Sequence, residues 1–309
     1  MLKFIFHRLI YMLITLWLII TLTFVMMKNL PGDPFGESSQ KLTPENRALL
    51  MAQYGLDKPL WEQYLKYFGN LLHGDFGRSF SFPAQTVTQI IQQGFPVSLQ
   101  LGVVSLCIAV IVGLALGMIA ALRHNKWQDY SAMFTAIVGI SIPSFVLAPL
   151  LSYYVGVEWG ILPAGLWEGP QYMILPALAL SLGTIAILAR LMRTSMLDVL
   201  NQDFVKTAKA KGLSSSAIIW RHTVRNAILP VITILGPIFV NIITGTFVVE
   251  KVFSVPGLGT KFVESIYSND YTMIGGLTIF YSIVLVVVLF LTDIIYGLVD
   301  PRIRLRKGG

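Results

Sequence analysis

Leu9 to Met27, LIYMLITLWLIITLTFVMM, runs 19 residues without a charge. At 1.5 Å per residue a helix of that length covers about 28 Å, the thickness of bilayer hydrocarbon. Hydrocarbon offers no partner to backbone N–H and C=O groups, so the run folds as a membrane-spanning helix and the rest of the chain must organise around it. Lys3, His7 and Arg8 in front of it give the look of a signal peptide. The run is too long for the apolar part of such a peptide and no small-x-small cleavage site follows, so it is read as a retained anchor. With 55% hydrophobic and only 13% charged residues, the whole chain of 309 residues reads as an integral membrane protein.

Six apolar segments are legible, at about residues 9–30, 98–121, 131–156, 172–192, 228–249 and 272–298. They predict an all-α, polytopic protein with six transmembrane helices. The organisation expected is an N-terminal transmembrane helix over 1–30, an extracytoplasmic folded element over 31–97, and a core of five further spans over 98–309. The element at 31–97 carries turn signals at LPGDPF and YGLDKPL and an amphipathic piece, LWEQYLKYFGNLL. It is too short for an independent domain and is expected to pack on the helices. An even number of spans puts both termini on one side. That side collects 15 Lys and Arg against four acids, Asp129, Asp198, Asp203 and Asp300, while the other holds 8 bases and 11 acids. The positive-inside rule makes the basic side, and hence both termini, cytoplasmic. The net charge of +7 is thereby a matter of topology and does not point to nucleic acid. Cys107 is the single cysteine, so no intrachain disulfide can form.

The longest cytoplasmic loop follows the fourth span and contains FVKTAKAKGLSSSAIIWRHTVRNAILP, residues 204–230, with five Lys or Arg and no acid. Asp203 is placed to cap a short helix, FVKTAKAK, which stops at Gly212, a residue suited to the left-handed position past a helix end. Ser214 supplies a second N-cap, and the helix it opens runs to Pro230. Phe204, Thr207, Ala208 and Lys211 lie three or four apart and share a face, where small side chains permit close approach by another protein. A basic segment that only sets topology and touches anionic lipid fits the spacing equally.

The arrangement Lys206, Thr207, Ala208, Gly212 and then Ile228, Leu229, Pro230 resembles the "EAA" loop in membrane subunits of binding-protein-dependent ATP-binding-cassette importers. LPGDPF, YGLDKPLWEQY, GDFGRSF, GFPVSLQLG, HNKWQDY, SIPSF, RHTVRNAILPV, VPGLG and DIIYGLVDPRIRL extend the resemblance, over nearly the whole length, to the B-type permease subunit of oligopeptide and dipeptide importers. Two departures from the general loop pattern, Lys206 in place of Glu and an interval of 18 residues from Gly212 to Pro230, resemble that same branch. The resemblance implies the type I importer permease fold and one half of a translocation pathway for oligopeptides. Dipeptides or nickel are the alternatives within the family. It also implies that Phe204, Lys206, Thr207, Ala208, Lys211 and Gly212 form a coupling loop docking on an ATPase. The implied partners are a homologous membrane subunit, two cytoplasmic ATPases, an extracytoplasmic peptide-binding protein, peptides and membrane lipid, in a bacterial cytoplasmic membrane.

No G-x-x-x-x-G-K-[ST] occurs in the chain, so any ATP hydrolysis falls to separate subunits, and no cofactor or catalytic residue is expected. PGLGTK, Pro256 to Lys261, lacks the spacing, and VPGLG is read as a tight turn. Asp293 is the one formal charge well inside a span. A proton-coupled carrier using it is the alternative from another class, and a structural hydrogen bond is the plainer role. Ser141, Ser144, Asn241 and Thr244 are polar groups of the third and fifth spans for which a place on a substrate path and a role in helix packing both stand open.

Overall fold

The structure, a computed structural model, describes residues 2–29, 43–82 and 84–299. Among these the regular elements are all helical, joined by turns and irregular segments, with a single Arg78–Thr86 bridge. Contacts divide it into two compact units, residues 1–98 with 256–290 and residues 99–255 with 291–309.

The first unit starts with α1 (Leu2–Asn29), followed by α2 (Pro44–Tyr54) and α3 (Leu60–Leu72). Thr43 caps α2 by accepting from the Asn46 amide, and Gly55, at φ +68, closes it. α4 (Val87–Leu122) begins here and continues into the second unit. The chain returns through α13 (Leu258–Tyr267) and α14 (Tyr271–Val299), the latter again shared between the units. Asp270, almost fully buried, ties this return down. One carboxylate oxygen accepts from the Met273 amide at the head of α14, and the other accepts from the Ser79 hydroxyl at 2.6 Å and the amides of Phe80 and Ser81. The VPGLG turn behaves as the expected structural bend. The Leu258 amide donates to Ser98 Oγ at 2.9 Å, and a side chain at Gly94 would collide with Leu258.

The second unit holds α5 (Trp127–Ser141), α6 (Ser144–Leu151) with a π-helical turn over Ser152–Glu158, α7 (Pro170–Leu200), and α8 (Asp203–Ala210). After these come α9 (Ser215–Ala217), a π-helical turn Ile218–Val224, α10 (Arg225–Ala227), α11 (Leu229–Thr244) and α12 (Thr246–Val252). α7 is the axis of this unit: 61% of its most apolar window is buried, against 11% for the peripheral α1. Its core face, Ile185, Leu188, Met192 and Met196, packs with Ala109 of α4 and Val231, Ile238 and Ile242 of α11. The glycines of GLALG, Gly113 and Gly117, lie where α4 faces α7. A Cβ at Gly117 would lie 2.5 Å from the Ala189 carbonyl and one at Gly113 would lie 2.8 Å from Leu188 Cβ, so α4 meets α7 backbone to backbone.

Four helices cross a membrane by length and composition on their own, at residues 5–29, 87–122, 170–200 and 271–294. Two bent pairs, Trp127–Ser141 with Ser144–Glu158 and Ser215–Ala227 with Leu229–Thr244, give six, the expected number, if each is counted as one span. The third span is not the single rod over 131–156 that its hydropathy suggests: α5 and α6 meet at 99° across Ile142–Pro143. Pro143 has no N–H to donate and biases Ile142 to the extended conformation it adopts, φ −99 and ψ 112. The fifth bends by 46° at Ile228, before Pro230.

Candidate coupling loop

α7 runs on well past the apolar stretch that ends near residue 192, and its last two turns carry the loop. Gln202, with extended backbone, is the N-cap residue of α8. This corrects the expectation for Asp203, which lies inside the first turn and spends its side chain on Lys206, 2.9 Å away. That pair is fully solvated and contributes little. The stop and restart follow the sequence reading. Gly212 takes φ +74, its amide donates to the Lys209 carbonyl, and Leu213 N–H donates to the Ala208 carbonyl. Ser214 Oγ accepts from the Ala217 amide at 3.3 Å.

The shared face divides. Phe204, Lys206, Thr207, Lys211 and Gly212 are exposed, whereas Ala208 is buried with Val205 against Ile218, flanked by Val199. Val205 and Ala208 are three apart and form the apolar stripe that α8 needs to pack on the returning helix. Ala208 therefore closes a small core inside the loop and is not part of its outer surface. What the loop does present is apolar side chains, Phe204, Leu213 and Trp220, among five exposed cations, Lys206, Lys209, Lys211, Arg221 and Arg225. Trp220 lies outside the set read from the sequence, because a tryptophan in an apolar run looks like core until its surroundings are known.

One contact fastens the loop's return to α7, and a second joins α7 to α5 just before the loop. Ser195 Oγ on α7 donates to the Ala227 carbonyl at 2.8 Å, at the end of the loop's return. Arg193, two residues earlier, forms a fork on Asp129 of α5, Nε to Oδ1 at 2.6 Å and Nη2 to Oδ2 at 2.7 Å. Asp129 is 2% exposed and also accepts from the Asn125 amide, with His124 Nδ1 3.1 Å away. Asn125 adopts φ +60 to make that turn. Counted from the sequence, Asp129 and Arg193 were only two charges on one membrane face. They are in fact a bidentate pair of a buried carboxylate and a partly exposed guanidinium, the geometry in which an Arg–carboxylate contact is strongest and most directional.

The remaining candidates do not assemble with the loop. Asp293 is half-buried on α14 and engages in an interaction within the chain. Glu250, reckoned among the outer-face acids, is fully buried in α12 and also engaged. Ser141 and Asn241 are exposed, and Ser141 and Thr244 bond carbonyls of their own helices. In the first unit a cavity of about 440 Å³ lies beside α1 and α3, with Lys28, Lys58, Lys66 and Arg78 in its walls. The buried hydroxyl of Tyr67 has no hydrogen-bond partner there, and burial pushes its pKa up.

Residues 113–305 match the family described as binding-protein-dependent transport system inner membrane component, and residues 1–102 match the N-terminal region of the same component. The chain belongs to this family. It is 50% identical over 297 residues to the dipeptide transport system permease protein DppB of Bacillus subtilis, covering 96% of each chain. It is 46% identical over 306 residues to the oligopeptide transport system permease protein OppB of Haemophilus influenzae, covering 98% of this chain and 100% of that one. A dipeptide permease of Lactococcus lactis is 41% identical over 305 residues, covering 99% of this chain and 100% of that one. Among solved structures, the MetNI methionine ABC transporter in inward-facing form matches with TM-score 0.58 at 17% identity, covering 69% of this chain and 97% of that one. An amino acid ABC transporter solved with histidines matches with TM-score 0.52 at 18% identity, covering 70% and 94%. At that identity the likeness concerns the fold, which is the expected importer permease fold. The family places the chain as a multi-pass component of the inner membrane, working within a binding-protein-dependent system and not itself an enzyme.

Proposed function

We propose that the chain forms half of the translocation pathway of a peptide importer, with oligopeptides or dipeptides as cargo. Relatives at 41–50% identity over nearly the full length carry those two cargo names, and this agreement carries the reading. The partners proposed are a second, homologous membrane subunit, two ATPases on the cytoplasmic face and an extracytoplasmic peptide-binding protein. Residues 198–227 dock on an ATPase through Phe204, Leu213 and Trp220 and the surrounding cations. Ala208 and Gly212 hold the loop in shape. Closure of the ATPases moves this loop, and the Ser195 and Arg193 contacts pass the motion to α7 and α5. A large cavity that binds weakly suits a cargo class sharing a backbone and little else.

The test is purification of the tagged chain in mild detergent, mass spectrometry of its companions, and reconstitution with them for uptake of labelled peptides. Uptake that requires ATP and the co-purified ATPases is expected. A chain that arrives without ATPases and moves peptides on a proton gradient alone would overturn the proposal.

A further inference from the structure

α3 has two faces of opposite chemistry. Glu62, Gln63, Lys66, Tyr67 and Asn70 line the cavity described above. On the other side Trp61, Leu65 and Leu72 are 63%, 59% and 73% exposed, and with Phe68 they follow the i, i+4, i+7, i+11 spacing of one helical stripe. No residue of α3 is fully buried. Four large apolar side chains on one stripe of a 13-residue helix are costly to leave in water, at about 25 cal/mol per Å² of apolar surface.

The contacts of α3 with α1 show what covers the stripe. Tyr64 reaches down α1 to share a 2.8 Å hydrogen bond between its hydroxyl and Thr21 Oγ1, and its ring packs edge-on against Phe24 at 5.3 Å. Thr21 lies eight residues before Asn29, about 12 Å from the end of α1. The span Ile5–Asn29 has 25 residues, a length of about 37 Å against roughly 30 Å of hydrocarbon. Even if all of that excess projected at this end, Thr21 would stand about 5 Å inside the hydrocarbon boundary. Because the Tyr64 hydroxyl and ring both engage α1 at this depth, α3 lies at the level of the headgroups and upper acyl chains. Leu18, Leu22 and Val25 of α1, close in sequence to Thr21 and Phe24, are exposed as well.

We propose that α3 is an interfacial helix that lies in the outer boundary of the bilayer. Trp61, Leu65, Phe68 and Leu72 insert among phospholipid chains, while the cavity face stays in water. The occupant of the stripe is the lipid, because the Tyr64–Thr21 bond holds the stripe at the depth of the bilayer boundary, beside a spanning helix that is itself largely exposed. A tryptophan at the first turn suits the headgroup level, where its ring is buried and its N–H remains wet.

The test places a nitroxide at position 65, 66 or 72 in a Cys107→Ala background, in the assembled importer reconstituted in phospholipid nanodiscs. Collisions are measured with oxygen, which concentrates in acyl chains, and with a water-soluble nickel chelate. Leu65→Cys and Leu72→Cys labels are expected to favour oxygen by at least tenfold over the Lys66→Cys label, which should favour the chelate. A bimane fluorophore at Leu72→Cys should be quenched by lipids brominated near the headgroup and less by lipids brominated at the chain ends. Chelate access at positions 65 and 72 equal to that at 66 would put the stripe in water and overturn the proposal. So would labels reached by neither agent, which would mean that a protein subunit covers the stripe.

Discussion

Asp129 and Arg193 are 64 positions apart and meet in a fork that holds the head of α5 to the end of α7, one turn before the loop. Removing one partner leaves polar atoms of the other unpaired, at a cost of about 1–3 kcal/mol because Arg193 stays partly in contact with solvent. Asp129→Asn is therefore expected to lower the thermal midpoint of the purified importer and reduce peptide uptake. Arg193→Lys keeps the charge but loses the fork, and should fall between the variant and the parent in both measurements. Gly212 presents a different case. A Cβ there would meet nothing within 4 Å, so its requirement comes from φ +74 alone. The left-handed region costs an ordinary L-residue about 1–2 kcal/mol. Asn tolerates it and β-branched residues do not, so Gly212→Asn should retain most uptake and Gly212→Val should lose most, with membrane insertion equal in both. Equal uptake by the two variants would show that the turn has no part in coupling.

Among the elements, α8 separates two roles that its sequence runs together. Its outer side carries Phe204, and its inner side carries Val205 and Ala208 against Ile218. Phe204→Ala with Leu213→Ala is expected to release the ATPases during purification while leaving the thermal midpoint of the membrane subunits unchanged. Ala208→Glu puts a carboxylate into the small core and should lower that midpoint as well as transport. Release of the ATPases by Ala208→Glu alone would instead return Ala208 to the docking surface. Periodicity alone could not draw this line, because a three-or-four spacing identifies residues on one side of a helix and says nothing about which side is covered. Proline shows the same limit. Pro143 turns the third span by 99°, yet Pro176 sits in α7 and Pro96 in α4 without ending either helix. Membrane helices tolerate proline where neighbours satisfy the freed carbonyls, so the bend depends on packing that the sequence does not spell out. The turn chemistry of Gly212 and Ser214 is a local requirement, and it was legible.

Over the whole molecule, four long spans were readable because hydrocarbon thickness imposes a length on each apolar run, while the two bent pairs were not legible as bent. The Asp129–Arg193 pair was not legible either, since a charge count records which membrane face a residue occupies and not which neighbour it meets. The same count nevertheless makes a claim about orientation that can be tested. Fifteen bases and four acids on the side of the loop, against eight and eleven on the side of α3, favour a cytoplasmic loop and cytoplasmic termini. In a Cys107→Ala background, a cysteine at exposed Lys209 and one at exposed His73 stand on opposite faces by this reasoning. A membrane-impermeant maleimide added to intact spheroplasts should label His73→Cys at once and Lys209→Cys only after permeabilisation. The reverse pattern would put the loop outside, beyond the reach of any cytoplasmic ATPase, and the coupling role would fail with the orientation. Labelling of both in intact spheroplasts would mean that the chain crosses the bilayer an even number of times between the two positions, in conflict with α4, the bent α5–α6 pair and α7 as three crossings.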